Sequence, residues 1–161
     1  MDKISILLGV LMLILFLFPI VYVLIQQKAK ETRTKKLLSQ AALENNIKLD
    51  SIEIIGHLSL GLDSTTKKLV VIEFKDPVKT RIIDLKEIQE LKINKRFESY
   101  MQGESRKEKI IHLSLEFISK NPAQITEIAF YDEEELDSTD AAISLNNARR
   151  WDEILQKNMA Y

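Results

Sequence analysis

Hydrophobic residues follow a different pattern in each third of the chain. From Ile4 to Ile25 they are nearly continuous, with no charge and only Ser5, Gly9, Pro19 and Tyr22 interrupting. As a helix this run spans about 33 Å, enough for a hydrocarbon core of about 30 Å. It reads as one transmembrane helix, residues 1–26. A cleaved signal peptide and a buried soluble helix are the alternatives. The run is longer than a usual signal core, and QQKAKETR after it lacks a small-x-small cleavage pattern. Pro19 removes one helical hydrogen bond, predicting a mild kink, and Tyr22 sets a polar tip at headgroup level.

Next comes a helical stretch, TKKLLSQAALENN, with Leu37, Leu38, Ala41 and Ala42 on one side and Asn45 and Asn46 as a stop signal. Residues 27–46 therefore read as a basic juxtamembrane stalk. Its stripe is short for a coiled coil, so packing on its own domain is favoured over packing on another chain.

From residue 47 the period becomes two. Ile52, Ile54, Leu58, Leu60 and Leu62 share one parity, with Gly56 as a bulge in a long bent strand. The turn DSTTKK leads to LVVIEFK, which sets Val70, Ile72 and Phe74 on one face before DPV breaks it. KTRIIDL and KEIQELKINKRF give two more strands, and ESYMQGESRKEK reads as a polar connection. In IIHLSLEFI, Ile111, Leu113, Leu115 and Phe117 point inward while His112, Ser114 and Glu116 point out. After an NPAQ turn, ITEIAFY makes the sixth strand. Finally Ala141, Leu145, Ala148, Trp151, Leu155 and Met159, widened by Ile154, recur at helical spacing, with Ser138 or Thr139 as cap and Asp140 complementing the helix dipole.

This order predicts an α+β protein: a transmembrane helix and stalk, then a bent antiparallel sheet or partly open barrel closed by a C-terminal amphipathic helix, residues 47–161. At 161 residues there is room for one membrane segment and one domain. The stretches LSLGLDSTTKKLVVIEF and TRIIDLKEIQELKI, with a closing helix bearing Trp151, resemble the pleckstrin-homology-like roll of small single-pass bacterial membrane proteins. The resemblance covers roughly residues 52–159. It implies a seven-stranded roll, whose extra strand would come from splitting the first one at Gly56, and it implies a fold more than an activity.

Charge adds orientation. Lys28, Lys30, Arg33, Lys35 and Lys36 follow the apolar run against only Glu31, whereas Asp2 and Lys3 precede it. The positive-inside rule places the domain in the cytoplasm, anchored in the plasma (inner) membrane, and the same cations suit anionic lipid. A net charge of -1 gives no drive toward nucleic acid.

Chemistry is sparse. With no cysteine, thiol catalysis and thiolate metal sites are excluded. No phosphate-cradling glycine loop, nucleophile elbow or zincin helix occurs. His57 and His112 read as solvent-facing or hydrogen-bonded, and the run Asp132, Glu133, Glu134, Glu135, Asp137 as loop solvation rather than a cation site. Neither a metal, a cofactor nor a catalytic set is expected.

Lys68, Lys79 and Arg81 resemble the spaced basic pattern with which some pleckstrin-homology domains hold phosphoinositides, but in a different register. Lys67 and Lys68 lie roughly 20 Å along the strand from Lys75, Lys79 and Arg81. The candidate binding residues are therefore Lys75, Lys79 and Arg81 around one turn. The function expected is non-enzymatic: an interaction or scaffolding protein in a membrane-associated complex, with the bilayer and another membrane or cytoplasmic protein as partners. Binding of anionic lipid or a small ligand is the alternative.

Overall fold

The computed structural model describes residues 3–75, 77–103, 105–121, 124–135 and 140–159, without the side chains of residues 3–11 and Lys30. Of the expectations above, those on Asp76, the Pro122–Ala123 step, Asp137, Ser138 and Thr139 lie outside the described residues. The chain divides into two units, residues 1–37 and residues 38–161.

Helix α1, Lys3–Glu44, runs through Pro19. Its side chains from Met12 to Ile25 are all exposed, and its apolar stretch is long enough to cross a membrane. A signal sequence and the core helix of a soluble protein share that length and composition, but a core helix would be buried, whereas the described side chains here are exposed. The Tyr22 hydroxyl accepts a hydrogen bond from Gln26 Nε2 at 2.9 Å.

The last turns of α1 belong to the second unit. There the helix ends in a Schellman motif. Asn46 takes a left-handed φ of 54°, its N–H donates to Leu43 O at 3.1 Å, and the Ile47 N–H donates to Ala42 O at 2.9 Å. Asparagine tolerates that conformation, so it stands where glycine usually does.

Seven strands follow, all antiparallel to their neighbours. β1 (Ser51–Ile55), β2 (Leu58–Asp63), β3 (Lys68–Glu73) and β4 (Lys79–Asp84) form one sheet in chain order. After a 3-10 turn at Leu85–Glu87, β5 (Ile88–Gln102), β6 (Ser105–Ser119) and β7 (Ile125–Asp132) form a second. Helix α2, Ala141–Met159, packs on β5, β6 and β7.

Three expectations are corrected. The long first strand is two strands: Gly56, at φ 55°, turns the chain, and Ile55 pairs with Leu58. That hairpin inverts the parity of β1. Ile55 and Glu53 share the core face with Leu58 and Leu60, while Ile52 is exposed. The two-residue turn sets these faces, and on the core side Glu53 Oε2 accepts from the buried Trp151 indole N–H at 2.8 Å. ESYMQGESRKEK is not a loop either. β5 and β6 continue through it as a ribbon, paired out to Gln102 and Ser105, with Gly103 at φ 65° in the tip. At α2 the cap is Asp140, which accepts from Ala142 N at 2.8 Å through Oδ1 and from Ser144 N at 2.9 Å through its carbonyl.

The main core joins both sheets to α2 through Leu58, Leu60, Leu69, Val71, Leu113, Leu115, Phe117, Trp151 and Leu155. A second cluster covers the other face of β3: Val70 and Ile72 pack with Leu38, Ala42 and Ile47. Burial on both faces explains the unbroken Leu69–Ile72 run. It also shows that the stalk stripe packs on its own domain through Leu38 and Ala42, while Leu37 stays exposed. Gly61 permits this packing, since a Cβ there would lie 2.8 Å from Leu49 Cδ1 and 3.1 Å from Leu38 Cδ2.

Candidate functional site

Lys75, Lys79 and Arg81 flank the β3–β4 turn, where Glu73 pairs with Lys79 and Val71 with Arg81 across the ladder. Lys67 and Lys68 sit at the opposite end of β3, Lys68 paired with Asp63 on one side and Asp84 on the other. The two basic groups are therefore separate. Those at the β3–β4 turn line an open cleft of about 480 Å³ with residues of β6 and β7, among them His112, Glu127 and Asp132.

The cleft is a network of compensated charges. Arg81 Nη1 donates to the Glu127 carbonyl at 2.9 Å, and its Nη2 stands 3.4 Å from Glu73 Oε1. Lys75 pairs with Glu135. Lys79 has no ion pair among the described residues. The carboxylates of Glu73, Glu127 and Asp132 stand among Lys75, Lys79 and Arg81 in the cleft lining, so the cleft offers an anion little net attraction.

His112 points away from the apolar core, as the alternation predicts, but it is 8% exposed rather than solvent-facing. Its Nδ1 lies 3.1 Å from Asp132 Oδ2 and its Nε2 2.7 Å from Glu127 Oε1. Carboxylates only accept, so whichever of these bonds is made, the ring nitrogen donates it. The His112 bond holds the Glu127 carboxyl below its usual range. At Asp132 burial works to raise the pKa, but the Glu134 N–H and His112 outweigh it and lower it. His57, also buried, holds the Ala129 carbonyl at 3.1 Å through Nε2, 3.7 Å from Glu135. Both histidines are thus held by groups of the fold, His112 through both ring nitrogens and His57 through Nε2.

Of the acidic run, Asp132 meets His112, Glu133 meets Lys109 at 2.6 Å and Glu135 meets Lys75, while Glu133 and Glu134 stay exposed. Among the described residues no three His, Asp or Glu side chains are arranged to hold a metal ion. The sequence reading missed Glu73, Glu127 and this role of the acidic run. Glu73, closing a buried apolar run, was the available signal, since a carboxylate in that position needs a nearby cation.

Along α1, Lys28, Arg33 and Lys36 line one side of the helix with Thr32 between them, and Lys35 pairs with Glu31 at 2.7 Å. The three have no ion pair among the described residues.

Exposed apolar side chains also stand on the β5–β6 ribbon. β7 pairs with β6 only from His112 onward, so the ribbon beyond it is two-stranded. There Phe97, Tyr100 and Met101 are 54%, 41% and 67% exposed. No family model, no curated protein and no solved structure matches this chain.

Proposed function

We propose that the chain is a non-enzymatic, single-pass membrane protein whose C-terminal roll is a cytoplasmic interaction module within a membrane-associated complex. The observation that carries this reading is the ribbon. It leaves apolar side chains and unpaired strand edges in water, the features by which sheets recruit other chains. The cleft at Lys75, Lys79 and Arg81 favours the same reading by contrast, because its charges are already matched within the domain. Two sheets of four and three antiparallel strands closed by a tryptophan-bearing helix support the resemblance to pleckstrin-homology-like rolls. The basic flank of Lys28, Lys30, Arg33, Lys35 and Lys36 supports N-terminus out and domain in, at the plasma (inner) membrane.

Crosslinking followed by pull-down from native membranes tests the module. A reproducible crosslinked species is expected; a monomeric mass with no partner removes the reading. Protease protection in spheroplasts tests the orientation, and digestion of the domain from outside reverses it.

A second reading rests on the unpaired Lys28, Arg33 and Lys36. Each cation near an anionic surface gains about 1 kcal/mol, so this side of the helix would hold anionic lipid. Flotation of residues 27–161 with vesicles rich in phosphatidylserine is the measurement. Binding that ignores lipid charge, or that survives Lys28→Glu with Arg33→Glu and Lys36→Glu, ends this second reading.

A further inference from the structure

We infer that the roll's first partner is a second copy of the same chain, joined edge to edge through β5, antiparallel, about a two-fold axis at Phe97. This rests on reading the roll as an interaction module and names its occupant. β5 is an edge strand: it pairs with β6 on one side, and among the described residues no strand pairs with its other side. It is regular from Glu90 to Gln102, because the second irregularity of the ribbon inserts its extra residue, Ile111, into β6. A long, regular, partly apolar edge is a template for pairing.

Symmetry narrows the register. A two-fold axis normal to the sheet keeps each side chain on its own face, and residues directly opposite must share a face. Partners must therefore have the same parity, and the axis must pass a residue rather than fall between two. Axes at Lys95, Arg96 and Glu98 each set identical charges opposite one another, which destabilises. An axis at Ser99 creates no ion pair. The axis at Phe97 sets Arg96 opposite Glu98 twice, with Glu98 bridging to Lys109 of its own ribbon at 3.2 Å, and sets Phe97 against Phe97, Asn94 against Tyr100, and Ile93 against Met101. All three exposed apolar residues of the ribbon then lie within the paired segment. β6 is not an alternative edge for self-pairing. Its free stretch carries Arg106, Lys107 and Lys109, and two-fold registers centred on Lys107 or Glu108 oppose lysine to lysine.

The test uses the full chain in mild detergent. Because the protein has no cysteine, Phe97→Cys introduces a single thiol. Directly opposed strand residues bring Cα atoms about 4.5–5.5 Å apart, within disulfide range. Oxidation should give a reducible dimer at Phe97→Cys and little at Lys107→Cys. Light scattering should show a dimer for the unmodified chain. Arg96→Glu and Glu98→Arg should each weaken it by roughly tenfold, and the double swap should restore it. Restoration answers the concern that a single variant merely misfolds.

A monomeric mass, equal crosslinking at residues 97 and 107, preferential crosslinking at Ser99→Cys, or no rescue by the double swap each overturns the inference. If the chain is monomeric but a different protein, or the bilayer, shields Phe97 in native membranes, self-pairing fails while the interaction module stands. If nothing shields it, both fail.

Discussion

The two sheets solve the same problem in opposite ways. In the first, strands of five or six residues are buried on one or both faces, and their turns are closed by side chains. Asp63 is the clearest case. It is 1% exposed, and its carboxylate accepts from the N–H groups of Thr65 and Thr66 at 2.9 Å and of Lys48 at 3.0 Å. In the second, two 15-residue strands outrun the core and end in a tip with no packing of its own. Polar groups of the first sheet close its β2–β3 turn, whereas those of the second pair across strands, as Asn94 does with Glu116 and Lys109 with Glu98, and leave the apolar Phe97, Tyr100 and Met101 exposed.

Substitutions can break or sharpen that contrast. The largest effect is expected where both sheets meet α2. Trp151→Ala should cost about 3–5 kcal/mol in denaturant unfolding, since it opens a cavity where a fully buried indole stood. A loss near zero would mean the helix does not share the core.

Asp63→Ala comes next, at about 2–3 kcal/mol, because three backbone donors lose a charged acceptor. Burial works to raise this carboxyl, but the hydrogen bonds from Thr66, Lys48 and Thr65 outweigh it and hold it at about 2, against a usual 3.8. A depressed carboxylate stabilises the folded form once pH is above its unfolded value. That contribution should be full above about pH 4 and vanish as pH falls through about 2, so the gap between wild type and Asp63→Ala should close with acid.

Turn substitutions test the contrast at smaller scale. Lys67 holds a left-handed φ of 62° in the β2–β3 turn, so Lys67→Gly should gain up to about 1 kcal/mol in thermal unfolding. Gly103 holds φ 65° in the ribbon tip, where an added Cβ meets nothing within 4 Å. Gly103→Ala should therefore cost about 1 kcal/mol from conformation alone, provided the tip forms before global unfolding. Smallest of all, Phe97→Ser on the exposed ribbon should change stability by less than about 0.5 kcal/mol while reducing association. A large stability loss there would make the ribbon part of the core.

Much of the architecture was legible from residue order. The apolar run of α1, the inward Leu113, Leu115 and Phe117 of β6 and the stripe of α2 are found where the period places them. Ile111, expected inward, is instead the bulged residue of β6 and leaves the core contact to Ile110, and Ser114, expected outward, is buried. β1 and the ribbon were not legible, for different reasons. Ile52 and Ile54 carry the stronger local alternation, but the two-residue turn at Gly56 sets the faces instead. ESYMQGESRKEK has no apolar face because no core lies against it, so its strand character comes from cross-strand hydrogen bonds and pairs such as Glu98 with Lys109 at 3.2 Å.

The candidate site divides the same way. Lys75, Lys79 and Arg81 were found as a cluster because they are neighbours in sequence. Glu73 lies beside them in the same hairpin, but Glu127, Asp132 and Glu135 come from β7 and the turn after it, and only the closing of the two sheets brings these to the cluster. The sequence alone determined the periods: which segments are helices, which are strands, and that α1 is apolar enough to span a membrane. Tertiary structure decided the pairings, because whether a charge is matched or left exposed depends on contacts tens of residues away, which no local pattern encodes.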